Sequence, residues 1–263
     1  MKRSALWVVA VLVATALLLA GAVASSPAQT GTGTIRGHVK LMGKLPGNQV
    51  IRMGVDPKCN DLNKGKTVVQ ETVKATIDGS LANVFVKLEG KFPAVAVPKT
   101  TVVIDQRNCI YVPRVSGVRV GQTLEIRNSD NLFHNVHSNS GLDNTFNVAQ
   151  PKAGAVHNFK MKSEDIFSMG CEVHRWMKAY VGVVAHPYFA VTDASGSFTI
   201  SNVPAGSYTV NAWHEQYGPV KKTIKVTAGG TVTVDFSYTG NEPKPSVRNL
   251  EESGSVASVA LPL

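Results

Sequence analysis

Cys171, His174 and Met177 stand three residues apart in the stretch CEVHRWM, and His134 lies roughly forty residues upstream in NSDNLFHN. Together they offer one thiolate, two imidazoles and one thioether. That is the donor set of a copper site with two His and one Cys in a plane and a distant Met on its axis, a site that passes single electrons. The thiolate is a soft, strong donor that copper favours, and the weak thioether helps to set the reduction potential. A Cys and a His three apart on a tight loop between strands can reach one ion, with Met177 approaching from the side. His134 must arrive on a different strand, so the ion would bridge two sheets. Zinc fits this set less well, because structural zinc takes four Cys, His or carboxylate ligands and rarely Met. Any one of these residues alone would more often be structural, and it is their joint order that is specific.

Neighbouring residues narrow the chemistry. His137 follows His134 by three, an offset that puts two strand side chains on opposite faces, so His137 is expected at the surface. Met169 is expected in the core. The ligand loop holds a single Cys, which excludes a dinuclear copper centre. His38, His157, His186 and His214 are isolated, so no second histidine cluster supports oxidase chemistry. No Ser or Asp is joined to a His in a nucleophile motif, and the chain is not expected to be an enzyme on its own. Trp213-His214-Glu215 reads first as the cap of a strand end, with contact to the domain holding the candidate ligands or to a partner as the alternative.

The elements that must position these residues are strands. Ile35, Val39 and Leu41 alternate with Arg36, His38 and Lys40; Val84, Val86 and Leu88 with Lys87 and Glu89; Leu124 and Ile126 with Glu125 and Arg127; Phe159 and Met161 with Lys160 and Lys162. Period-two patterning of this kind marks half-buried strands, and Gly and Pro punctuate the gaps. The chain is expected to be all-β, in two modest domains. Residues 99–187 hold the four candidate ligands and residues 188–240 form the second domain, while residues 33–98 are an N-terminal β segment. Residues 241–263, with Pro243, Pro245 and several Ser and Glu, read as a disordered tail, and 25–33 reads similarly.

VRVGQTLEIRN at 118–128 and FHNV at 133–136, followed by Cys-x-x-His-x-x-Met, resemble the cupredoxins, the small Greek-key β-sandwiches of plastocyanin and amicyanin. The resemblance implies one type 1 copper ion held by His134, Cys171, His174 and Met177. It also implies electron transfer through an exposed edge of His174, and Asn135 as the clamp on the backbone beside Cys171. Arg175 stands where the short ligand loop more often has Pro, and with Trp176 it would face redox partner proteins. DASGSFTISNVPAGSY at 193–208 resembles the carboxypeptidase regulatory-like domain, a transthyretin-like β-sandwich. Members usually open on a Gly-x-Val strand, which Gly37-His38-Val39 matches. Residues 33–92 would then supply the first strands of that sandwich, with the cupredoxin inserted into it. Two other readings are a copper carrier or storage protein, and a surface binding module with a vestigial copper site.

Lys2 and Arg3, the apolar run Ala5–Ala20 and Ala22-Val23-Ala24 read as a secretory signal over residues 1–24, with an uncleaved anchor as the alternative. Export to a bacterial periplasm or the exterior follows, with no membrane span once the signal is cleaved. Three cysteines are an odd number for an exported chain. Because a disulfide at Cys171 would destroy the metal loop, Cys59 and Cys109 are the expected pair. The net charge of +9, two of it from Lys2 and Arg3, suits acidic partner proteins or anionic surfaces, and equally a plain solvated basic surface. The charges are scattered and not interleaved with aromatics, which argues against nucleic acid.

Overall fold

The computed structural model describes residues 31–141 and 143–242. The signal read at 1–24 lies outside them, as does the tail beyond residue 242. Among the described residues, no helix is long and apolar enough to cross a membrane. The architecture is all-β, built as two packed sandwiches whose strands interleave along the chain.

The first strand, Thr32–Leu41, turns Ile35, Val39 and Leu41 inward, each at most 3% exposed. It pairs antiparallel with Ser197–Pro204 and parallel with Thr231–Thr233 and Phe236–Tyr238. The facing sheet runs in the order Phe189–Val191, Phe85–Glu89, Gly206–His214, Gly218–Val226. Val86, Leu88, Val210 and Ala212 from this sheet meet Ile35, Ile200 and Phe236 from the other. Each such side chain, fully buried, contributes roughly 1.5–3 kcal/mol when it is as large as Val or Ile. One sandwich therefore draws its strands from both sides of residues 99–187.

Those intervening residues form the other sandwich. One sheet has the order Val115–Arg119, Lys178–Val184, Asp165–Gly170, His134–Ser138, Asn147–Gln150. The other has the order Ile110–Val112, Val102–Arg107, Thr123–Asn128, Val156–Lys160. Leu124 and Ile126 alternate inward as the period-two pattern requires, and they meet Val136, Phe167, Met169 and Val181 across the core. The antiparallel pair Asp165–Gly170 and Lys178–Val184 is closed by residues 171–177, which carry Cys171, His174 and Met177.

The two sandwiches pack directly on each other. Gly117 and Gly182 are opposed in register on adjacent strands, and their bare backbones admit the Phe85 and Phe189 rings. A Cβ at Gly182 would lie 2.4 Å from the Phe85 ring, and one at Gly117 2.3 Å from that of Phe189. Beside them Tyr180 packs on Trp213, with centroids 5.5 Å apart, and Arg114 forms a buried ion pair with Glu215. The segment Trp213-His214-Glu215 thus reaches across to the other sandwich, the less favoured of the readings its sequence left open.

Between Leu41 and Leu81 the chain leaves one sandwich to cover the end of the other. This excursion carries a 3-10 turn, Met53–Val55, and a six-residue helix, Pro57–Leu62. Strand patterning gave no sign of the helix. Its own start signal is present, because Asp56 caps it through bonds from the N–H groups of Lys58 (2.9 Å) and Cys59 (3.1 Å), and Pro57 follows at the first helical position. A disulfide joins Cys59 to Cys109, and Cys171 is left as a buried free thiol.

Candidate metal centre

His134 opens the strand His134–Ser138, and Cys171 and His174 sit on the loop beyond Gly170. The strand Asp165–Gly170 pairs with His134–Ser138, which brings the loop beside His134 within one sheet, where a bridge between two sheets was expected. The Nδ1 atoms of His134 and His174 lie 3.0 Å apart, and Cys171 Sγ is 3.7 Å from His174 Nδ1. One ligand atom from each of the three residues falls within 4.8 Å of the others. All three are buried, at 0–2% exposure, and Met177 is buried with them at 1%. The Met177 N–H donates to the His174 carbonyl at 2.8 Å, which closes the loop tightly, and Met177 lies in the same buried core as Cys171.

The surroundings fix this arrangement. Cys171 Sγ accepts the backbone N–H groups of Asn135 and His174, both at 3.4 Å. The Asn135 side-chain carbonyl accepts the Glu172 N–H at 3.2 Å, which ties the first ligand strand to the backbone next to Cys171. The Tyr111 hydroxyl lies within reach of the carbonyls of Asn135 (3.2 Å) and Gly170 (3.1 Å). With both Nδ1 atoms facing inward, both Nε2 atoms face outward onto carboxylates. His134 Nε2 is 3.0 Å from Asp130 and His174 Nε2 is 3.0 Å from Asp56.

Charge is distributed accordingly. Burial pushes the Cys171 thiol up, but its contacts with His134, His174 and two backbone N–H groups outweigh this and lower it to about 6. Burial disfavours charge on both imidazoles, yet Asp130 and Cys171 raise His134, and Cys171 and Asp56 raise His174. The bond from His174 lowers Asp56; Asp130 is lowered by His134 and by the N–H groups of Cys109 and Asn108, against its burial.

One soft sulfur and two imidazole nitrogens converging on a single point, with a buried thioether beside them, fit copper. Two further groupings, Asp56 with Cys59 and His174, and Asp130 with Cys109 and His134, have the spacing of a metal site. Their cysteines are spent in the disulfide, so neither supplies a thiolate.

The His174 edge, expected open to solvent, is instead closed. His174 is 1% exposed because the excursion lays Asp56 across its Nε2. Of the two residues expected to dock partners, Arg175 is exposed and Trp176 is half-buried, its indole N–H donating to the Cys109 carbonyl at 2.9 Å. His137 is half-buried and contacts Glu172 at 2.6 Å, and Met169 is fully buried. His38, His157, His186 and His214 join no ligating group among the described residues. Asp56 and Asp130 were not singled out from the sequence. The signals were there, in Asp56-Pro57 as a helix start and in Asp130 four residues before His134.

Residues 178–239 match the family model of the carboxypeptidase regulatory-like domain. No curated protein matches the chain. Among solved structures, a copper-containing nitrite reductase from Thermus scotoductus SA-01 is 19% identical over 36% of this chain and 24% of its own, with a TM-score of 0.29. The chain thus spans about a quarter of that enzyme's length. A copper(I) form of an amicyanin variant is 22% identical over 37% of this chain and 97% of its own, also at 0.29. A purple cupredoxin from Nitrosopumilus maritimus is 22% identical over 31% of this chain and 98% of its own, again at 0.29. Residues 178–239 are thus similar to a carboxypeptidase regulatory-like domain, and the strands Thr32–Leu41 and Phe85–Glu89 pair with strands from that stretch, while the other sandwich carries the His134–Cys171–His174 cluster.

Proposed function

We propose that His134, Cys171, His174 and Met177 bind one type 1 copper ion, and that the protein carries single electrons between redox partner proteins outside the cytoplasm. The observation that carries this reading is the convergence of Cys171 Sγ with the Nδ1 atoms of both imidazoles inside a closed, buried pocket. A bound copper ion would supply a one-electron couple through its two oxidation states. The protein's part is to hold the donors still. The N–H groups on Cys171 Sγ, the Asn135 clamp and the two carboxylates behind the imidazoles limit how far any ligand can move. Little rearrangement then accompanies gain or loss of an electron.

Export is supported by the Cys59–Cys109 disulfide, a bond that persists in oxidising compartments. The basic surface suits acidic partners, with exposed Arg175 beside the site. No catalysis of its own is assigned. The closed site argues against a carrier, which must give up its ion to an acceptor. The test is the visible spectrum of the purified protein with Cu(II), beside Cys171→Ser. An intense thiolate-to-copper band that disappears in the variant is expected. Weak, colourless uptake independent of Cys171 would overturn the reading and leave a binding module in its place.

A further inference from the structure

The two imidazoles are backed by one continuous scaffold. Asp56 binds His174 Nε2 through Oδ2, while its Oδ1 accepts the N–H groups of Lys58 and Cys59. Asp130 binds His134 Nε2 through Oδ2, and accepts the N–H of Asn108 at Oδ1 (2.7 Å) and that of Cys109 at Oδ2 (2.8 Å). Each carboxylate is therefore anchored on the backbone of one half of the disulfide Cys59–Cys109. Asn63 strengthens the joint, donating to the carbonyls of Cys59 (2.9 Å) and Asn108 (3.0 Å). The Cys59 sulfur lies within 4.8 Å of the Asp56 and His174 ligand atoms, and the Cys109 sulfur stands likewise to Asp130 and His134.

We propose that Asp56 and Asp130 are positioning residues for His174 and His134, and that the disulfide is the brace holding the two carboxylates at a fixed separation. This rests on the copper reading given above. The physical reason is that a ligating imidazole whose other nitrogen donates to a carboxylate is fixed in tautomer and orientation and becomes a stronger donor. Here both rings are served this way, and one covalent bond ties their two carboxylates together. The excursion from residue 42 to 81 thereby completes a metal site that lies in a different sandwich. It also keeps water from the His174 edge.

Three substitutions at Asp56 test this in the purified protein. Asp56→Ala removes both the helix cap and the ring contact. Asp56→Ser keeps a cap but is too short to reach His174. Asp56→Asn keeps the cap through its one carbonyl oxygen and so turns a donor NH2, not an acceptor, toward His174 Nε2. Cu(II) affinity, read by chelator competition, is expected to fall about 10–100-fold in the Ala, Ser and Asn variants alike, since none keeps an acceptor on His174. The reduction potential should move positive in all three, because a weaker donor favours Cu(I). In metal-free protein, nuclear magnetic resonance should find both Nε2 protons protected from exchange. Only that of His174 should lose protection in the Ser variant, and both should in Cys59→Ser/Cys109→Ser. Unchanged affinity and potential in Asp56→Ser, with the thiolate band intact, would overturn the positioning role alone. Absence of the band in the unsubstituted protein would overturn the copper reading and, with it, any positioning toward copper.

Discussion

Cys171 and His214 are both buried, and their surroundings act on them in opposite ways. Around Cys171, imidazoles and N–H groups favour the charged form strongly enough to defeat burial. Around His214, burial disfavours charge and the Arg114 guanidinium repels it, so the ring is held at about 3, well below its ordinary 6.5. His214 Nδ1 accepts the Gln216 N–H at 3.1 Å, and its other nitrogen is buried without a partner. A histidine whose folded value is depressed contributes stability that is whole above the unfolded value and is lost as pH falls toward the folded one. The window is therefore from about 6.5 down to about 3, where each pH unit removes at most about 1.4 kcal/mol from this group. His214→Gln is expected to flatten the acid limb of a stability–pH profile measured by denaturant unfolding. An unaltered limb would show that His214 does not titrate in this way.

At the scale of elements, strands announced themselves and the excursion did not. Leu124 and Ile126 could be placed because a half-buried strand writes its period into the sequence, and Cys171, His174 and Met177 because a metal loop needs short fixed spacings. Asp56 has no such local mark as a partner of His174. The contact joins residues far apart in sequence, and only the disulfide and the fold bring them together. The exposed His174 edge was misjudged for that reason, since nothing in CEVHRWM tells what will lie on top of it. The strand pair holding Gly117 and Gly182 makes a sharper demand. Gly182→Ala puts a methyl group into the Phe85 ring, which is itself fully buried, and overpacking of this kind costs about 1–3 kcal/mol. Thermal unfolding should show a lowered midpoint in Gly182→Ala, and Phe85→Leu in the same chain should restore part of it. No rescue would mean that the ring is not the obstacle.

Taken as a whole, the molecule is two sandwiches locked by apolar packing and one buried ion pair. The Arg114 and Glu215 side chains are 11% and 3% exposed, so removing one partner strands the other's charge in a poorly solvated place. Glu215→Ala is expected to cost about 3–5 kcal/mol, whereas Arg114→Met/Glu215→Leu should recover most of that. Equal losses in the single and double variants, measured by chemical denaturation, would refute the pair's role as a coupled unit. Arg114 also points to Gln70 at 3.3 Å, and Gln70 donates to the Trp176 carbonyl at 2.5 Å, so the interface and the metal loop share partners. Interleaving of the two sandwiches was legible in part, through Gly37-His38-Val39 as an opening strand. The tight seating of Phe85 on the glycines was not, because a glycine in a strand does not say which ring it admits.

The interleaved topology also dictates an order of assembly. Thr32–Leu41 is the first described strand to be synthesised, yet the three strands that pair with it, Ser197–Pro204, Thr231–Thr233 and Phe236–Tyr238, come after the whole inserted sandwich, and only a bridge to Ser80 comes before it. The inserted sandwich can close on its own strands while Thr32–Leu41 has only Gly79–Leu81 beside it, through Leu41–Gly79 and Leu81–Val39 bonds, and Ile35 still waits for its partners, an apolar edge open to misassociation on an emerging chain. Pairings so distant in sequence form slowly, because the intervening loop must be ordered first. The first described strand is thus among the last to be fully housed, and the nascent protein depends on whatever shields its open edge until the far end arrives.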